Sequence, residues 1–108
     1  MFGFNVKEID VAELQQLLSE ERENIHLIDV RSPAEIAQGA IPGAEPLPLH
    51  LLPLQLDRIP ADKKVVLYCR SGARSAQACA FVEAQGKSNV YNLRGGIIAW
   101  AQHGLAIA

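Results

Sequence analysis

The chain has 108 residues, 49% of them hydrophobic and 20% charged, with a formal net charge of −2. That length suits one domain spanning 1–108, and the composition excludes disorder, a collagen repeat and a coiled coil. Its two cysteines permit at most one bridge, which excludes a disulfide-stapled mini-protein, and the mild acidity argues against a general nucleic-acid or membrane-surface binder.

The N-terminus lacks a cationic start followed by an apolar run of signal-peptide length, and no segment is apolar for long enough to span a membrane. A cytoplasmic, reducing setting with free thiols is therefore expected. Phe4–Lys7 reads as a short edge strand. Asp10 then starts a helix, with Glu13 at the capping-box position and Val11, Leu14, Leu17 and Leu18 on one apolar face. Ile25–Val30 is rich in branched apolar residues and reads as a buried strand. Ser32, Pro33 and Glu35 have the spacing of a capped helix start, and Gly39 stops that short helix. Ile41–Ala44 is a turn leading to another extended piece.

The leucines of His50–Leu56 predict a short helix despite Pro53. Pro60–Lys63 is a turn, and Lys64–Tyr68 is the clearest strand. Arg74–Gln85 reads as a helix closed by Gly86, Asn89–Asn92 as a strand, and Ile97–Gln102 as a last helix after Gly95 and Gly96. Strands and helices alternate through short connections. That pattern predicts an α/β fold with a mostly parallel central sheet of about five strands and helices on both faces. In such sheets ligands sit at the carboxyl ends of strands.

One carboxyl end carries the chemistry: Cys69-Arg70-Ser71-Gly72-Ala73-Arg74-Ser75 runs from a buried strand through a tight loop into a helix. This geometry aims backbone N–H groups and a helix N-terminus at the cysteine sulfur. Between Lys63 and Val82 there are four basic residues and no acidic one. A helix terminus stabilises an anion by only about 0.3–1 kcal/mol, whereas one pKa unit needs about 1.4 kcal/mol. Loop N–H donors and the two arginines must therefore add to the dipole if the thiol is to be activated.

Four ordered segments resemble the rhodanese domains: Asp29-Val30-Arg31-Ser32-Pro33-Ala34-Glu35, Gly39-Ala40-Ile41-Pro42-Gly43-Ala44, Val65 to Ser75, and Asn89 to Trp100. Ala40 stands where that family usually has a histidine, and Ile36 where it has an aromatic residue. The resemblance implies a three-layer fold and a sulfurtransferase. Cys69 would attack the sulfane sulfur of a donor such as thiosulfate, become a persulfide, and pass that sulfur to cyanide or a thiol. Arg70, Ser71, Gly72, Ala73 and Arg74 match the loop that holds the persulfide. No metal or organic cofactor is implied, and neither is a nucleic-acid or membrane partner. A persulfide carrier exchanging sulfur with protein thiols is the alternative. Phosphatase or arsenate-reductase action is disfavoured, because the related phosphatases have a loop one residue longer than the four residues separating Cys69 from Arg74 here.

Arg70 is read as attracting an anionic donor at the pocket rim. Arg74 either contacts substrate or holds the loop by pairing with a carboxylate. Asp29, with Arg31 beside it at the end of a neighbouring strand, either supports the loop or pairs locally. Ser75 is read as a helix cap, with donation toward the sulfur as the alternative. Glu35 is explained by the capping box. Cys79, among alanines, reads as a core residue, a resolving thiol being the alternative. His26 is placed in a strand, His50 at a helix cap and His103 in solvent. Trp100 is expected in the core.

Overall fold

A computed structural model describes residues 4–108. The strands are β1 (Glu8–Ile9), β2 (Ile25–Asp29), β3 (Glu45–Pro46), β4 (Lys64–Tyr68) and β5 (Val90–Leu93). The helices are α1 (Val11–Glu21), α2 (Pro33–Ala37), α3 (Ala73–Ala84) and α4 (Gly96–Gln102). The strands form one sheet in the order β1-β5-β4-β2-β3, and every pair in it is parallel.

Period-two alternation along β4 divides the core between the two faces of the sheet. Val65, Leu67 and Cys69 pack with Ala78, Cys79 and Val82 of α3 and with Leu52. Val66 and Tyr68 pack with Val11 and Leu14 of α1 and Trp100 of α4. Helices therefore cover both faces, giving the three-layer α/β fold. Among the described residues no helix is long and apolar enough to cross a membrane.

Both expected capping boxes are present, Asp10 with Glu13 and Ser32 with Glu35, and Pro33 opens α2. Trp100 is buried, and its indole N–H donates to Ala106 O at 2.9 Å. His26 is half-buried against Glu45, and His103 is exposed at the end of α4.

Three local expectations are corrected. The first strand is Glu8–Ile9 and not Phe4–Lys7. Its register is set by β5, where the amides of Asn92 and of Arg94, just past the strand, donate to Lys7 O and Ile9 O. Ile9 thus enters the core, while Phe4 stays 51% exposed. The Leu-rich segment forms a 3₁₀ turn over Leu49–Leu54 that contains Pro53, followed by a second over Leu56–Arg58, instead of one helix. Proline has no N–H to donate, which favours such short pieces over a continued α-helix. His50 lies exposed inside the first turn, where Pro48 holds the cap position.

Candidate active site

β4 ends at Tyr68 and delivers Cys69 to the carboxyl edge of the sheet, and α3 begins four residues later at Ala73. Gly72, with φ of +106°, turns the chain into the helix through a conformation that disfavours side chains. Around the Cys69 sulfur, the Gly72 N–H lies at 3.1 Å, and the Ser75 N–H and hydroxyl each at 3.4 Å.

The other wall of the loop is α4. The Ile97 N–H donates to Cys69 O at 3.0 Å and the Ile98 N–H to Arg70 O at 3.1 Å. In a trans peptide the N–H points opposite to the preceding C=O. Drawing the Arg70 carbonyl toward α4 therefore turns the following Ser71 amide back toward the sulfur. Burial pushes the Cys69 thiol pKa up, but the Ser75 side chain and the Ser75, Gly72 and Ser71 amides outweigh it, so the net shift is downward.

Arg74, in the first turn of α3, grips Glu35 of α2 with a two-pronged ion pair at 2.7 and 2.8 Å. Glu35 also accepts from the Ser32 N–H at 3.1 Å, so one carboxylate caps α2 and anchors the helix after the loop. The Arg74 hydrogen bond, aided by the Ser32 N–H, lowers the Glu35 carboxyl from 4.5 to about 2. Because the folded pKa is the depressed one, its stabilisation is complete above the unfolded value and is lost as pH falls from about 4.5 toward 2. Glu35→Gln should therefore melt below the wild type at pH 6. The gap in Tm should narrow through that acid window; a gap constant down to pH 2 would show that the ion pair is not its source.

Asp29 and Arg31 pair with each other. The Arg31 guanidinium spans both Asp29 oxygens at 2.7–3.1 Å and also donates to Gly39 O at 2.7 Å. Both are buried and neither reaches the sulfur; they tie the end of β2 to the turn after α2. Arg70 is exposed beside the loop, and Ser71 and Ala73 also face solvent. A hollow of about 300 Å³ lies on the Arg70 side, lined also by Arg31, Glu35, Ile97, Ile98 and Ile107. A groove of about 480 Å³, lined by Val30, Ser32, Leu49, Leu52, Arg74 and Phe81, lies on the other side. Cys69 lines neither and is 1% exposed.

A family model described as the rhodanese-like domain matches residues 10–103. The chain belongs to the rhodanese family. It is 59% identical over 102 residues, 94% of each chain, to a protein of Allochromatium vinosum named sulfurtransferase. A thiosulfate sulfurtransferase of Pseudoalteromonas translucida is 30% identical over 94 residues, 87% of this chain and 88% of that protein. The crystal structure of a rhodanese-like domain protein from Staphylococcus aureus superposes with a TM-score of 0.84 at 33% identity, covering 95% of this chain and 99% of that one.

Sequence reasoning placed the rhodanese loop but missed parts of its support. Ser75 sits in the third position of α3, too far along to be the cap, and its hydroxyl faces the sulfur and Asn92. Asn92 was read only as part of a strand; a polar residue amid buried strand positions was the available signal, since such groups need partners. Gly96 was read only as preceding a helix, yet it is where α4 meets the Cys69 and Arg70 carbonyls. The second role of Glu35 was masked by its capping-box spacing.

Cys79 is fully buried in the core beneath α3. Burial, with smaller contributions from Glu83 and Glu8, pushes its thiol up to about 12. Iodoacetamide at pH 7 should therefore label one cysteine in the folded rhodanese chain and none in Cys69→Ser. Labelling of Cys79 without unfolding would contradict its core assignment.

Proposed function

We propose that this chain is a sulfurtransferase that moves a sulfane sulfur from thiosulfate or a persulfide donor to cyanide or a thiol, with Cys69 as the nucleophile. The observation that carries this reading is the set of donors converging on one buried sulfur, which holds the thiol pKa down against burial. A thiolate so placed attacks the outer sulfur of thiosulfate. The new S–S bond forms, the old one breaks, and its electron pair leaves with sulfite. The resulting persulfide is anionic at its outer sulfur, where the loop amides from Arg70 to Arg74 supply a preorganised cradle. The acceptor then attacks that outer sulfur, and Cys69 departs as the thiolate.

Arg70, exposed at the rim, draws the anionic donor in. Arg74 shapes the loop through Glu35. The near-complete burial of Cys69 favours a slender donor such as thiosulfate or an extended persulfide. Similarity to a thiosulfate sulfurtransferase supports the first of these. The four-residue spacing between Cys69 and Arg74 supports sulfur transfer over phosphoryl chemistry.

Thiosulfate treatment followed by intact-mass measurement should show a gain of one sulfur per chain, removed by cyanide. Slow loading by thiosulfate, with fast loading from or unloading to a protein thiol, would assign a relay carrier instead. Turnover of an aryl phosphate faster than thiosulfate would overturn the reading.

A further inference from the structure

Ser75 has one hydroxyl proton and two claimants for it. The Cys69 sulfur lies 3.4 Å from its oxygen and Asn92 Oδ1 lies 2.5 Å from it. The orientation of the Asn92 amide is fixed from the other end. Its nitrogen donates to Glu8 Oε2 at 2.9 Å and to Gly72 O at 3.1 Å, both of which accept only. A reversed amide would set Oδ1 against a carboxylate and a carbonyl. Oδ1 must therefore face Ser75, and among the described residues Ser75 is its only donor. Asn92 is 1% exposed, so no water readily replaces that donor.

We propose that Asn92 is a positioning residue that holds the Ser75 hydroxyl proton away from Cys69 while the sulfur is a thiol or a persulfide, and yields it when the thiolate forms. This rests on the sulfur-transfer reading above. In the thiol, Cys69 S–H faces a lone pair of Ser75, which donates onward to Asn92. In the persulfide the charge sits on the outer sulfur, and Ser75 again serves Asn92. When an acceptor takes the outer sulfur, the S–S bond breaks and its electron pair stays on Sγ. The hydroxyl then rotates to Sγ and leaves Oδ1 without a donor. Asn92 thus disfavours the thiolate relative to the loaded state.

The charged groups around this chain are Glu8 on β1, Arg94 paired to it from beyond β5, Arg74 on α3 with Glu35 on α2, and Arg70 in the loop. Asn92→Leu keeps these charges and removes the competing acceptor, together with the amide donor to Glu8 and Gly72 O; comparing Ser75→Ala in both backgrounds isolates the first loss. Following Cys69 ionisation by thiolate absorbance in the sulfur-free protein, Asn92→Leu should lower the midpoint by about half to one pH unit, the scale of a single hydrogen bond. Ser75→Ala should raise the midpoint more in the Asn92→Leu background than in the wild type. A midpoint unchanged or raised by Asn92→Leu, or a Ser75→Ala shift equal in both backgrounds, would overturn the proposal. Should Asn92→Leu fail to fold, NMR of the wild type decides: the Asn92 side-chain carbonyl and amide signals should move with the Cys69 midpoint, and signals that stay still overturn it. Failure of sulfur loading from every donor with this coupling intact would overturn the transfer reading alone.

Discussion

Cys69→Ser should take up no sulfur from thiosulfate, and sulfur transfer to cyanide should fall by at least about three orders of magnitude, the scale expected when a covalent nucleophile is removed. The substitution changes one atom in a buried position, so the chain should fold with nearly unchanged stability. What is lost is chemistry. A serine hydroxyl stays protonated under conditions where the Cys69 thiol, its pKa lowered by the donors of Ser75, Gly72 and Ser71 against the effect of burial, ionises. Its oxygen also forms no stable counterpart of a persulfide. Cys79→Ala is the control. With its thiol pushed up to about 12, Cys79 contributes no thiolate at neutral pH, and that variant should load one sulfur as the wild type does. Persistent loading of Cys69→Ser, measured by intact mass, would move the nucleophile elsewhere.

Gly96→Ala should slow persulfide formation by about two orders of magnitude, as expected when a reacting group is displaced by about 1 Å. A Cβ at Gly96 would lie 2.5 Å from both the Cys69 and Arg70 carbonyl oxygens. These are backbone atoms of the loop, so relief requires moving the loop itself. The same carbonyls accept from the Ile97 and Ile98 amides, and displacing the Arg70 carbonyl turns the Ser71 amide away from the sulfur. The glycine φ of +59° adds conformational strain, and the combined loss of stability should be about 2 kcal/mol. Gly86→Ala separates the two effects. Its φ is +93° but no atom lies within 4 Å, so it should cost about 1 kcal/mol and leave sulfur loading intact. Equal activity losses in the two variants would show that close packing of α4 on the loop is not what matters.

Features written in adjacent residues were readable before any coordinates. The capping boxes at Asp10 and Ser32 depend on a partner three positions on, and β4 declares itself by its branched apolar run. The Cys69 loop was legible because a cysteine between a buried strand and a helix start, flanked by glycine and arginines, has few other uses. The resemblance in four ordered segments located the family. The edge strand was misplaced because its register is dictated by β5, more than 80 residues away, as the Glu8↔Asn92 pairing records. The Leu49–Leu54 turn has helix-forming leucines, and the outcome there was decided by Pro53. Glu35 satisfied a local rule so well that its distant partner Arg74 left no trace in the spacing.

The long reach of these pairings bears on when the thiol becomes reactive. The loop carbonyls are drawn back by α4, and Asn92, the competing acceptor for the Ser75 proton, is held by Glu8 at a separation of 84 residues. During synthesis Cys69 is made before β5 and α4 exist, so its amides have nothing to set their direction. Non-local pairings of this kind are slow to assemble, because the entropy of closing a long loop is lost before their contacts form. The donors that lower the thiol pKa and the acceptor that restrains it are thus both tied to completion of the fold, and a nascent or partly unfolded chain carries Cys69 as an ordinary thiol.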